Sequence, residues 1–114
     1  MTVNEIYLEF GQVLYDSIPD EDWKIAYLFI MRLENTARFN AYYLSELDEK
    51  IGIQARNFSK LYDSAHELHT ITTEGGHNRW NKLEFTLFPN FKFDMQFIWD
   101  QELQCEVDGY NKKR

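Results

Sequence analysis

Three histidines and a surplus of carboxylates are the side chains in this sequence with evident reactive chemistry. His66 and His69 bracket Glu67 in the segment HELH, three residues apart, a spacing that puts both rings on one face of a helix. Two imidazoles on one face invite a metal ion, with a third ligand from His77 or a distant carboxylate across Gly75-Gly76. The zinc-protease arrangement differs, since it needs histidines four apart with the glutamate beside the first. The plainer reading is two histidines near a helix C-terminus, where partial positive charge is favourable. Glu84 and Asp94 offer a second chemistry, a glycosidase-like carboxylate pair, but a 114-residue chain without an obvious cleft argues against it. Gly75-Gly76 lacks the lysine and following hydroxyl of a phosphate loop, and no Ser-His-Asp spacing can be argued. We therefore expect no enzyme, no catalytic residue, no metal and no cofactor. The alternative is a small metal-binding or hydrolytic domain using His66, His69, His77 and nearby carboxylates.

The elements that would position these residues follow from hydrophobic period. Thr2 and Glu5 form a capping box, and Val3, Ile6, Tyr7, Phe10, Val13 and Leu14 recur at helical spacing. This helix should end near Ser17, ahead of Ile18-Pro19. Trp23 to Leu33 (WKIAYLFIMRL) is almost continuously apolar and rich in aromatic and β-branched residues, which predicts a strand with both faces largely covered. Glu34-Asn35-Thr36 connects it to a second strand, Ala37 to Leu44, and Ser45 to Gly52 reads as loop. Phe58, Leu61, Tyr62, Ala65 and Leu68 mark one face of a second helix that ends by Gly75-Gly76.

An aromatic hairpin follows. Leu83, Phe85 and Leu87 alternate with Lys82, Glu84 and Thr86; Phe91, Phe93, Met95, Phe97 and Trp99 alternate with Lys92, Asp94, Gln96 and Ile98. Phe88-Pro89-Asn90 supplies the turn, with asparagine suited to left-handed backbone. The tail 101–114 has few apolar residues and is expected to be poorly ordered. These elements predict one α+β domain spanning 1–114, ordered α-β-β-α-β-β: a four-stranded, mainly antiparallel sheet with two helices packed on one face. Trp23, Tyr27, Phe39, Phe85, Phe93 and Phe97 are the expected core, joined by Phe10, Leu14, Leu61 and Leu68 from the helices.

Charge narrows the partners. The net charge is −7, from 19 acidic and 12 basic residues, and three of the basic ones are the terminal Lys112-Lys113-Arg114. Such a body repels nucleic acid and attracts basic proteins. Cys105 is the only cysteine, which fits a reducing compartment. No apolar run reaches the length of a membrane span and the N-terminus lacks a signal-peptide pattern, so a cytoplasmic protein without membrane or nucleic-acid partners is expected. Tyr42, Ile98 and Trp99 are aromatic or apolar residues among acids, a composition suited to an interface.

The ordered set of features resembles the YezG-type immunity proteins, small antitoxins that protect bacteria from nuclease toxins delivered between cells, as in contact-dependent growth inhibition. The features are Ile18-Pro19 after an amphipathic helix, Trp23, the long apolar strand, Glu34, and an aromatic second strand ending in Tyr42-Tyr43. After the second helix come Trp80, Leu83-Phe85-Leu87, Phe91-Lys92-Phe93 and the ending Trp99-Asp100. The resemblance spans residues 3 to 100 and departs from the family in a shorter, more acidic segment after Tyr43 and in the tail. It implies a stoichiometric inhibitor that binds a basic nuclease one-to-one and has no chemistry of its own. Six acids fall between Glu84 and Asp108, so the expected contact residues are Glu84, Asp94, Ile98, Trp99, Asp100, Glu102, Glu106 and Asp108, with the Asp20–Asp22 cluster a weaker candidate.

Overall fold

A computed structural model describes residues 2–19, 22–33, 36–74 and 79–112, with side chains at all of these except 55–57 and 110–112. The first helix, α1 (Val3–Asp16), begins at the expected capping box: Thr2 Oγ1 accepts the Glu5 N–H at 3.2 Å and Glu5 Oε1 accepts the Thr2 N–H at 3.0 Å. The Thr2 N–H, followed by the Thr2 hydroxyl, stabilises the ionised form and holds the Glu5 carboxyl below its ordinary range. Ile6, Phe10, Val13 and Leu14 form its buried stripe, and Ser17 closes it just ahead of Ile18-Pro19.

Among the described residues five strands form one antiparallel sheet in the order β3-β2-β1-β4-β5. They are β1 (Trp23–Leu33), β2 (Thr36–Ser45), β3 (Lys50–Ile53), β4 (Lys82–Leu87) and β5 (Phe93–Ile98). A 3-10 segment (Ala55–Leu61) leads into α2 (Tyr62–Thr73), and α3 (Gln101–Lys112) follows β5. One face of the sheet packs on α1, the 3-10 segment and α2, burying Leu28, Ile30, Phe39, Tyr43, Leu83 and Phe85 against Phe10, Leu14, Phe58, Leu61 and Leu68. Ser64 of α2 donates to Glu9 of α1 at 2.9 Å, linking the two helices beside this core.

The α+β class stands, with several corrections. Among the described residues the sheet has five strands and there are three helices, where four and two were expected. The segment read as loop from Ser45 to Gly52 turns at residues 46–49, with Asp48 at φ 63°, and then adds β3 along β2. Lys50-Ile51-Gly52-Ile53 carries too few apolar residues for its period to be seen. The tail also departs from expectation, because Gln101–Lys112 form α3, although none of its described side chains is fully buried.

Two expected core residues lie elsewhere. Trp23 and Tyr27 have the same parity and should share a face of β1, yet Trp23 is buried and Tyr27 points to the opposite side. The register against β2 slips between Trp23 (opposite Ser45) and Ile25 (opposite Leu44). This extra residue is a bulge, and it inverts the phase of everything after it. Ala26, Leu28 and Ile30 therefore enter the core, while Ile25, Tyr27, Phe29 and Met31 face outward and stay half-exposed. Phe97 is the second case. It faces the helix side from edge strand β5 but keeps 37% of its surface exposed, at the margin of the core beside Trp80. The expectation that both faces of β1 are covered fails with Tyr27: only one is.

The hairpin turn places its strained residue differently from expectation. Phe91, and not Asn90, takes the left-handed conformation (φ 69°). Asn90 Oδ1 instead accepts the Lys92 N–H, and Phe88 and Lys92 close the loop around a Phe91 N–H bond to the Phe88 carbonyl. A bulky residue in this region is uncommon. The Phe91 ring is held against Tyr15 and lies over Gly11 of α1, where an added Cβ would meet it at an ordinary contact distance of 3.4 Å. Asp20, Glu21, Glu34, Asn35, Gly75, Gly76 and His77 lie outside the described residues.

Candidate protein-binding face

The side of the sheet opposite the helices carries the most distinctive surface. Along β1, the outward positions Ile25, Tyr27, Phe29 and Met31 are all apolar, whereas a solvated sheet face ordinarily alternates to polar residues. Tyr27 stacks on Phe29 with ring centroids 6.1 Å apart, and Tyr42 of β2 closes the cluster at 5.0 Å from Tyr27 and 5.9 Å from Phe29. Such ring pairs contribute about 0.5–1.5 kcal/mol each beyond area burial. Lys50 of β3 sits over the Tyr42 ring at 4.4 Å.

Register fixes what flanks the cluster. Phe29 lies between Asn40 and Glu84, and Tyr27 lies between Tyr42 and Thr86, with Asp94 beyond Thr86. Glu84 pairs in register with Gln96, so Glu84 and Asp94 are diagonal neighbours on this face. A hollow of about 390 Å³ opens between the strands here, lined by Phe29, Met31, Arg38, Asn40, Glu84 and Ile98 among others. Glu84, Asp94 and Ile98, all expected contact residues, are thus brought together with the aromatic row. Tyr27 and Phe29 belong to the same surface and were missed. The uninterrupted apolar reading of β1 was their signal.

The remaining acids are placed differently. Asp100 is a structural residue. Its Oδ1 caps α3 by accepting the Leu103 N–H at 3.1 Å, and its Oδ2 pairs with Lys82 Nζ at 2.6 Å. The Lys82 bond, followed by the Leu103 N–H, holds its carboxyl below the ordinary value. Asn81, only 3% exposed, grips the Asp100 backbone from both sides: its Nδ2 donates to the Asp100 carbonyl and its Oδ1 accepts the Asp100 N–H, each at 2.8 Å. The Asn81 main chain meanwhile bonds Arg32 and Ile98. One buried amide therefore joins the ends of β1 and β5 to the start of α3. Trp99 is half-buried, with the Arg79 guanidinium 3.9 Å over its ring and its indole N–H donated to Gln101. Glu102, Glu106 and Asp108 are exposed on α3, where Asp108 also accepts from Gln104 at 3.0 Å.

The histidines separate. His69 Nε2 lies 3.1 Å from the Trp80 carbonyl and its ring meets the Trp80 indole edge-on at 4.8 Å. The Trp80 N–H is in turn donated to Thr72 at 2.8 Å, so this 1%-exposed tryptophan is fully engaged. Burial, with Arg32 nearby, pushes the His69 pKa below its ordinary value of 6.5. His66 is exposed and lines a cleft of about 370 Å³ with Arg32, Tyr62 and Asp63. His69 lines a different cleft, with Arg79, Trp99 and Gln104. Among the described residues no three His, Cys, Asp or Glu side chains gather as a metal would require, and His77 lies outside them. Among them, too, no helix is long and apolar enough to cross a membrane. No protein-family model matches this chain, and no curated protein is similar to it.

Proposed function

We propose that this chain is an immunity protein: it binds a cognate nuclease toxin one-to-one in the cytoplasm and neutralises it by covering a basic nucleic-acid-binding surface. The observation that carries this reading is the run of surface carboxylates from β4 through β5 into α3. Glu84, Asp94, Glu102, Glu106 and Asp108 reach solvent along it. A nuclease must hold phosphates in a cationic groove, and carboxylates presented in their place compete for it. The net charge of −7 adds long-range attraction, which speeds capture before nucleic acid is cut. The ordered resemblance to the YezG-type proteins supports the same reading. Its markers sit at element boundaries: Ile18-Pro19 after α1, Trp23 opening β1, Trp80 ahead of β4, and Trp99-Asp100 ahead of α3.

The reading expects a nuclease domain encoded beside this protein's gene, and the test is titration of this protein into that domain once purified, with nucleic-acid cleavage as the readout. Inhibition should rise linearly to completion at one equivalent, and co-expression should rescue cells from the nuclease. Full cleavage at several equivalents, with no complex by gel filtration, would contradict the proposal.

A further inference from the structure

We infer that the centre of the toxin contact is the open sheet face, with Phe29, Tyr27 and Tyr42 as its apolar anchors and Glu84 and Asp94 as its charged flank; the α3 acids form the periphery. This rests on the immunity reading and specifies its site. Three features support it. The outward row of β1 is apolar throughout, a pattern that belongs to a strand covered on both sides, and the helices cover only one. The three rings lie together and half-exposed, as aromatic hot spots do before a partner desolvates them.

The third feature is the distribution of charge, which selects the occupant. Lys82 is neutralised by Asp100, and Arg38 and Lys50 lie on the β2–β3 side. The β4–β5 side presents Glu84 directly beside Phe29, with Asp94 one strand further out, beyond Thr86. A basic partner fits this arrangement: an arginine paired with Glu84 lies beside the Phe29 ring and gains from both carboxylate and π-face. A second copy of this chain fits worse, because each carries a net charge of −7.

The experiment measures association and dissociation rates of a catalytically inactivated form of the neighbouring nuclease domain on immobilised protein, with melting curves for every variant. Phe29→Ala combined with Tyr42→Ala should weaken binding roughly tenfold or more, chiefly by faster dissociation. Glu102→Lys with Glu106→Lys should slow association and leave dissociation unchanged, as peripheral charges do. Should the aromatic double variant melt early, Asp94→Lys at its exposed position carries the test, with slower association and a shallower salt dependence. If the wild type binds and both open-face variants bind equally well, the face is not the contact and the immunity reading survives. If the wild type binds no nuclease, that reading fails and takes this inference with it. A wild-type dimer in sedimentation that Phe29→Ala dissolves would assign the face to a second copy and overturn the proposal.

Discussion

The two faces of the central strand β1 are built from similar residues and have different fates. On the helix side, Ala26, Leu28 and Ile30 are sealed in the core beside Phe85 of β4, together with Phe10 of α1 and Leu68 of α2. On the other, Ile25, Tyr27, Phe29 and Met31 are as apolar but remain half in water. The hydrophobic effect acts on area removed from water, so the first face contributes to folding and the second, on the proposal above, contributes only when a partner covers it. Composition alone cannot distinguish them. What distinguishes them is which side the helices cover, and the bulge between Trp23 and Ile25 decides which residues fall there.

The comparison breaks most visibly under matched truncations. Phe85 is fully buried against Phe10 and Phe93, and Phe85→Ala should cost about 3–5 kcal/mol of unfolding free energy. Phe29→Ala on the open face should cost about 1 kcal/mol, since part of that surface is already hydrated. Chemical denaturation of both variants checks the ratio; equal losses would mean that the second face is a core.

Asn81 sharpens the comparison at the rim where the two faces meet α3. Asn81→Ala strips partners from the Asp100 N–H and carbonyl, and should destabilise by about 2–4 kcal/mol. Amide exchange of α3 should accelerate well before that of β1. Asp100→Ala removes only the cap and the Lys82 pair, and should destabilise less than Asn81→Ala, with loss of α3 helicity by circular dichroism. For that reason, charge reversal meant to probe binding belongs at Asp94 and not at Asp100.

The smallest effect is a pH dependence on the helix side. The folded-state pKa of His69 lies below its unfolded value, so the unfolded chain takes up a proton that the folded chain resists. Stability is therefore full above about pH 6.5 and declines as pH falls through the depressed folded value. Over that window the stability of His69→Gln should fall less steeply than that of the wild type, and above it the two slopes should coincide.

Much of the fold was legible in the sequence because its signals are periodic. The capping box at Thr2, the stripe from Ile6 to Leu14 and the alternation from Leu83 to Ile98 each specify an element and the side that faces inward. What was not legible depends on single residues whose effect is tertiary. A bulge next to Trp23 leaves no mark in a nearly continuous apolar run, yet it moves Tyr27 across the sheet. Lys50–Ile53 is too short to show a period and exists because β2 offers it an edge. Asn81 looks like any polar residue before a strand, and only the convergence of three chain segments gives it four hydrogen bonds. The candidate site divides the same way: Glu84, Asp94 and Ile98 followed from alternation, whereas for Tyr27 and Phe29 the unbroken apolar run was the signal and the register decides the side they face.

Carbene footprinting of the free protein and of its complex with the nuclease domain proposed as its partner tests the central claim most directly. The free protein should label at Tyr27, Phe29 and Met31 and remain unlabelled at Phe85 and Trp80. In the complex, the β1 row should become protected together with Glu84 and Asp94, while Glu102 and Glu106 keep most of their labelling. A β1 row that labels as strongly in the complex as alone, with protection confined to α3, would contradict the account.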